Sequence, residues 1–419
     1  MGLLIRSVTL IDQQSPFHLK CIDVRVADGR ISQLGQLSEE PGDEVFDASG
    51  CYLSAGWIDL MAFVGEPGRE QVETVSTLLD AAAAGGFTGV VAFSEGNPVP
   101  DHRVVIGYLK SRAESHITEL LPAGTLSKGR KGLELAEILL MNQAGAIVFG
   151  DMPAPVVSSG FMMRALLYAK NIDACIYSLT MDPSISPDGQ VHESTFSVQR
   201  GIRSLPEIAE EIIVTRDLVL VSYTGRPLHF ACVSTTASVR LIRQAKKQGI
   251  KVTAAVPVTH LLFDETKLDS YNTYWKLFPP LRSQNHVEAL REGLVDGTLD
   301  AVCSMHRPCS RDEKLVPFDQ AAFGMINLQT CFALLNQTGL LTVEQLVEKL
   351  AIAPRRILNL PMPSFEPGSI ANFTIFDVNR SWTFTPEMNR SKSENSPLFQ
   401  VPLKGKPIAI YNRGKFLKI

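Results

Sequence analysis

A hydrolase that works through a metal or a nucleophile needs imidazoles, carboxylates or thiols gathered at one place. In this sequence the candidates are few. They follow short apolar runs: Asp59 in Trp57-Ile58-Asp59-Leu60, Glu95 after Val90-Val91-Ala92-Phe93, Asp151 after Ile147-Val148-Phe149-Gly150, Asp182 in Leu179-Thr180-Met181-Asp182, and His306 in Ser304-Met305-His306-Arg307. A hydrolytic divalent metal requires several His or carboxylate ligands and one open position for water. Imidazoles are scarce at these places, and His18, His102, His116, His192, His260 and His286 do not cluster in the sequence. The thioethers of Met61 and Met305 suit soft Cu(I), not a water-activating zinc. Cys232 or Cys309 with His306 could make a thiol–imidazole pair, but no third group to orient the ring is evident. Asp59, Asp151, His229 and His306 are therefore expected to be structural.

These residues are positioned by alternating strand and helix patterns over roughly residues 56–355. Apolar runs recur at 89–93, 146–149, 174–177, 229–233, 252–256 and 301–303. Between them lie helical patterns, such as 72–84 closed by Gly85-Gly86, and 237–249. Strands apolar on both faces and separated by helices imply a parallel sheet, whose chemistry lies at the C-terminal strand ends. Periodicity does not separate a closed (β/α)8 barrel from an open doubly wound sheet. The sequence lacks GxGxxG after an early strand and lacks GxxxxGK[ST], which argues against dinucleotide and phosphate-loop sites. Residues 1–55 and 356–419 read as short strands and turns, for example Ile22–Val26, Arg30–Leu34, Ser369–Phe376 and Pro407–Tyr411. The two ends are expected to build one small β-domain. Ser391–Ser396 reads as a short polar loop.

Composition excludes several classes. The chain has 419 residues, 45% hydrophobic and 20% charged, with a formal net charge of −4, ordinary for a globular protein with a large core. No basic run suggests nucleic acid or an anionic membrane as partner. The seven cysteines are scattered and form no CxxC pair, so a disulfide framework or zinc ribbon is not expected and a reducing cytoplasm fits. No stretch of about 18 apolar residues occurs, so no spanning helix is expected. The first residues turn polar too soon for a signal peptide.

Ordered blocks along the whole chain resemble dihydroorotase, an amidohydrolase-superfamily enzyme. They include Gly56-Trp57-Ile58-Asp59-Leu60, Glu66-Pro67-Gly68, Gly85-Gly86-Phe87-Thr88, Asn97-Pro98, Leu205–Glu210, Val233-Ser234-Thr235, Pro279-Pro280-Leu281-Arg282, Phe323-Gly324 and Ala353–Leu358. The resemblance implies a (β/α)8 TIM-type barrel over 56–355 with a small β-rich domain formed from both termini.

The departures from the family pattern fall on its chemistry. The resemblance places two metal histidines and a substrate-binding Arg at Met61, Phe63 and Gly65. It places two further metal histidines at Leu179 and Cys232, and the proton-shuttling Asp at Met305. The last His of that block falls on Cys309, and substrate-reading Asn positions fall on Glu95 and Phe278. Near the bridging carboxylate only Asp151 remains. Without the metal, water stays far from a pKa near 7 and the amide is not polarised. The expectation is a catalytically silent dihydroorotase homologue of pyrimidine biosynthesis, with no metal or cofactor. It would resemble the noncatalytic subunits that pair with aspartate transcarbamoylase, and homo-oligomerisation is expected too. Two alternatives stand beside it. One is an active zinc amidohydrolase with a reorganised site, in which Asp151, His229, Cys232 and His306 converge. The other is a ligand-sensing barrel.

Overall fold

The computed structural model describes residues 2–419. Eight parallel strands pair in chain order: Trp57–Val64, Phe87–Ser94, Glu119–Gly124, Val148–Phe149, Cys175–Ser178, Leu228–Phe230, Val252–Pro257 and Ala301–Cys303. The first and eighth then meet. The Phe63 N–H donates to the His306 carbonyl at 2.8 Å, and Ala62 forms a parallel bridge with His306. The sheet therefore closes into a barrel, which periodicity alone left open.

Helices on the outside supply the crossovers, and their limits follow local chemistry. Helix Val75–Ala84 starts at Thr74, whose hydroxyl accepts from the Thr77 N–H while the Thr77 side chain reaches back to the Thr74 N–H. It ends at Gly85, and Gly86 takes the left-handed backbone (φ 84°). A Cβ on Gly86 would also meet the Trp57 ring at 3.0 Å. Helix Thr236–Lys247 is capped by Thr235 and carries Lys246 and Lys247 in its last turn, where cations favour the macrodipole. Its apolar residues Val239, Ile242 and Ala245 are buried against the barrel.

The small domain is one sheet built from both ends of the chain. Leu3–Ile11 pairs with Cys21–Ala27, and Tyr52–Ala55 pairs antiparallel with Phe373–Phe376. Leu3, Ile5, Val8, Val24, Phe373 and Ile375 are among its buried core. The segment expected to be a polar loop is instead a buried strap. Ser391, Ser393, Asn395 and Ser396 are all buried. The Ser391 hydroxyl and the Lys392 N–H donate to Glu73, Ser393 Oγ donates to the Val72 carbonyl at 2.8 Å, and Asn395 Nδ2 donates to the Arg307 carbonyl at 3.0 Å. The C-terminal segment thus reaches back to the barrel mouth. Among the described residues no helix is long and apolar enough to cross a membrane.

Candidate functional site

The mouth of the barrel is built by the strand ends, and its first strand is bent to fill it. All eight residues of Trp57–Val64 are buried. The pairing register shifts between Asp59 and Ala62. Such a bulge re-aims side chains, and Leu60, Met61 and Phe63 all join the inner cluster while Ala62 and Val64 join the outer one. Around Met61 the centre of the mouth is sulfur and hydrocarbon. The Cys232 thiol lies 3.3 Å from Met61 Sδ and 3.5 Å from Met305 Sδ. Leu179 is buried in the same cluster, and Phe278 packs against it. Phe63, Phe93, Tyr177 and His229 follow one another through the interior with ring centroids 6.0, 5.8 and 4.5 Å apart.

A charged pair covers this plug. Arg307 holds Glu95 through two hydrogen bonds, Nε to Oε2 at 3.1 Å and Nη2 to Oε1 at 2.7 Å. Its guanidinium stands 5.3 Å from the Phe63 ring centroid. Both Glu95 oxygens are engaged by this fork.

The backbone constrains two mouth positions as well. A Cβ on Gly65 would lie 2.3 Å from the Arg69 carbonyl oxygen and 3.1 Å from that of Glu73. The Gly65 N–H donates to that Glu73 carbonyl. At the position where the resemblance implies a substrate-binding Arg, the loop leaves no space for any side chain. Met305 shows the reverse. It sits at φ 53°, a left-handed conformation that Asp and Asn tolerate better than an unbranched apolar residue. The main chain there keeps a shape suited to the Asp of the family pattern.

The retained carboxylates are spent on holding strand ends together. Asp59 accepts from the Ser304 N–H at 2.6 Å and the Ser304 hydroxyl at 2.7 Å, tying the first strand to the eighth. Burial pushes its carboxyl up to about 7, against the lowering effect of those bonds. Asp151 accepts from the Leu126 and Ser127 N–H groups at 2.8 and 2.9 Å and from the Ser127 hydroxyl. Burial also raises its carboxyl above the usual range. Asp182 caps its own turn by accepting from Ser184 N and Oγ.

The imidazoles are committed through one ring nitrogen each, Nε2 of both His229 and His306 being buried without a hydrogen-bond partner. His229 Nδ1 pairs with Thr253 Oγ1 at 2.8 Å, and burial pushes its imidazole down to about 3. His306 Nδ1 accepts from the Asn327 and Leu328 N–H groups, and its Nε2 lies 3.5 Å from Glu73, behind the barrel wall. Cys309 donates toward the Phe323 carbonyl at 3.5 Å, and burial pushes its thiol up to about 11. Neither Cys232 nor Cys309 is hydrogen-bonded to His306. Asp151, His229, Cys232 and His306 each face different partners. Among the described residues no group of three or more His, Cys, Asp or Glu is placed to hold a metal ion. The donors at the mouth, two thioethers and a thiol, do not fit the histidine- and carboxylate-held, water-activating zinc of the family pattern.

Sequence reasoning missed a buried polar network beside the sixth strand. Glu210 accepts from Ser234 N (3.0 Å), Thr235 N (3.1 Å) and Thr235 Oγ1 (3.1 Å), and from Ser234 Oγ. Arg282, also buried, donates to Ser234 Oγ at 3.2 Å and to the Leu205 carbonyl at 2.8 Å. Both residues lie in the family-like blocks, and their charged types inside apolar surroundings were the available signal. Arg307 and Cys303 were missed too, because each adjoins a more conspicuous residue.

Comparison with known proteins agrees with this architecture. Residues 50–238 match the family described as "Dihydro-orotase-like". The chain is 39% identical to a dihydroorotase of Pelotomaculum thermopropionicum, over 99% of this chain and 98% of that protein. It is 37% identical to a dihydroorotase of Syntrophus aciditrophicus, over 100% and 99%. In three dimensions it superimposes on the L-hydantoinase (dihydropyrimidinase) of Arthrobacter aurescens with a TM-score of 0.86 at 20% identity, covering 99% of this chain and 96% of the other. Full-length similarity to dihydroorotases, carried on a closed amidohydrolase barrel, shows that the chain belongs to the dihydroorotase family of the amidohydrolase superfamily.

Proposed function

We propose that this chain is a silent member of its family. It would neither open nor close the dihydroorotate ring, and it would serve as a structural partner of aspartate transcarbamoylase in pyrimidine biosynthesis. One observation carries the first half: Met61, Cys232 and Met305 bring their sulfurs within 3.5 Å at the place where the reaction needs a metal-bound water. A general base is missing for the same reason, since Asp59 and Asp151 are bonded to strand ends and Met305 replaces the proton-carrying carboxylate. The partner role rests on the likeness to noncatalytic subunits together with a barrel that keeps its scaffold.

The second reading, a working zinc amidohydrolase, is favoured by the relatives' shared name of dihydroorotase at 35–39% identity. Metal analysis of the purified protein, with a ring-closure assay on carbamoyl aspartate, separates the two. The silent reading expects no stoichiometric zinc and no turnover, and zinc with turnover would sink it. Co-elution with aspartate transcarbamoylase is the expected sign of partnership. Elution of the chain alone, in the presence of that enzyme, would reject the scaffold.

A further inference from the structure

The plug contains more sulfur than simple filling of a cavity requires. Met61, Cys232 and Met305 touch through their sulfur atoms, at 3.3 and 3.5 Å from the Cys232 thiol. The Cys303 thiol belongs to the same buried cluster and donates toward the Ala231 carbonyl, next to Cys232, at 3.8 Å. These residues come from the first, sixth and eighth strands, so the fold, and not local sequence, gathers them. Met61, Cys232 and Cys303 are each at most 1% exposed. Met305 is held in its left-handed conformation, a strain that persists only where the surroundings fix it.

We propose that Met61, Cys232 and Met305, with Cys303 beside them, form a binding site for a single soft monovalent cation of the Cu(I) class. Thioethers and thiolates are the ligands such an ion selects. Charge balance favours it: the Cys232 S–H releases its proton to solvent on binding, and one thiolate with one monovalent cation is neutral. A divalent ion would leave net charge in an apolar interior, which is costly. Size is also compatible. With metal–sulfur bonds of about 2.3 Å, trigonal coordination needs sulfurs about 4.0 Å apart. The present separations of 3.3 and 3.5 Å must open by roughly 0.7 and 0.5 Å, and the three rotatable bonds of each Met side chain allow that. A narrow cleft of about 10 Å³, lined by Phe278, Met305, Arg307 and Met325 among others, meets the cluster at Met305.

The inference rests on the reading that the family's zinc site is gone, and the test separates the two. The full chain in a Cys21→Ser background, which removes the exposed thiol, is titrated anaerobically with Cu(I) against a chromophoric Cu(I) chelator. One ion per chain is expected, with sulfur-only coordination by X-ray absorption. Cys232→Ser is expected to weaken retention at least about 100-fold. Because that variant places a hydroxyl in an apolar site and could unfold, Met61→Leu/Met305→Leu is tested in parallel. It conserves volume, and its retention is expected to fall while its melting temperature stays near the parent's. No Cu(I) retained by the parent, or retention unchanged in both variants, overturns the soft site without touching the silent reading. Zinc retained with turnover would overturn the silent reading independently.

Discussion

The rim of this barrel and the plug at its centre are opposite in chemical character. On the rim, Asp59, Asp151 and Glu210 are buried, charged in type and fully bonded to neighbouring strand ends. In the plug, the groups are apolar or sulfur and make few directional bonds. Rim carboxylates carry the architecture, and such groups are expensive to alter because each satisfies several buried donors. In the unliganded protein, plug residues answer mainly to volume. The difference teaches that in this barrel polar clasps shape the mouth while apolar and sulfur side chains fill it.

The comparison is broken most forcefully by removing a clasp. Glu210→Ala would leave two backbone N–H groups and the Ser234 hydroxyl without an acceptor, the Thr235 hydroxyl keeping Ser238 Oγ at 2.9 Å, and Arg282 without its nearest anion at 4.0 Å. Removing one partner of a buried charged network typically costs about 3–5 kcal/mol. Urea unfolding of the variant should show that loss. A change below about 1 kcal/mol would mean the network is not a clasp.

Asp59 sharpens the comparison through pH. Its folded carboxyl titrates near 7, above the ordinary 3.8. The fold therefore binds this proton more tightly than the unfolded chain does. The stability so gained is complete below about pH 4 and is lost as pH rises through 7. Asp59→Asn should remove that loss, since Oδ1 can still accept from the Ser304 N–H and Nδ2 can donate to its hydroxyl. At pH 8 the variant should be more stable than the parent by roughly 2–4 kcal/mol, and the gap should shrink toward pH 5. Buried histidines pull the other way in both proteins. His192, His229 and His260 titrate near 3, 3 and 4 in the fold, so each withdraws stability as pH falls below about 6.5. The difference between parent and variant cancels them.

How much of this was legible in the sequence varies by physical cause. The barrel's strands were largely visible, because strands buried on both faces leave unbroken apolar runs such as Val252–Val256, while closure of the sheet was implied only by the family resemblance. The third strand, Glu119–Gly124, escaped because Pro122 and a polar first residue interrupt its run. The mouth positions named from the resemblance could be singled out because each is one side chain within a run of family-like blocks. Three features could not be read. The contact of Cys232 with Met61 and Met305 joins residues 171 and 73 positions apart. The Arg307–Glu95 cover spans 212 positions. The burial of Ser391–Ser396 depends on Glu73 waiting beneath it, 318 positions away from Ser391. Composition made that strap look like a loop, since its polar groups are satisfied by protein instead of water.

Gly65 tests whether the mouth has changed in its main chain as well as its side chains. Gly65→Ala places a Cβ against the Arg69 carbonyl oxygen at 2.3 Å, and backbone is the neighbour least able to yield. The expected loss is about 1–3 kcal/mol, read as a lower urea midpoint. Unchanged stability would mean that the 65–73 loop opens readily, and the mouth would then be less remodelled than its geometry indicates.

The smallest effect belongs to the plug itself. If Met61 and Met305 act in the unliganded protein only by volume, Met61→Leu/Met305→Leu should change stability by less than about 1.5 kcal/mol. Met61→His offers the contrast. It returns one imidazole to the first strand but surrounds it with Leu60, Phe63, Cys232 and Cys303, none of which accepts a hydrogen bond well. A buried polar group without a partner costs about 1–3 kcal/mol, so the restored histidine should destabilise more than the two leucines together. That ordering follows from the rim-and-plug division. A histidine tolerated better than leucine would reveal a hidden polar partner at the mouth, and the division would fail at its centre.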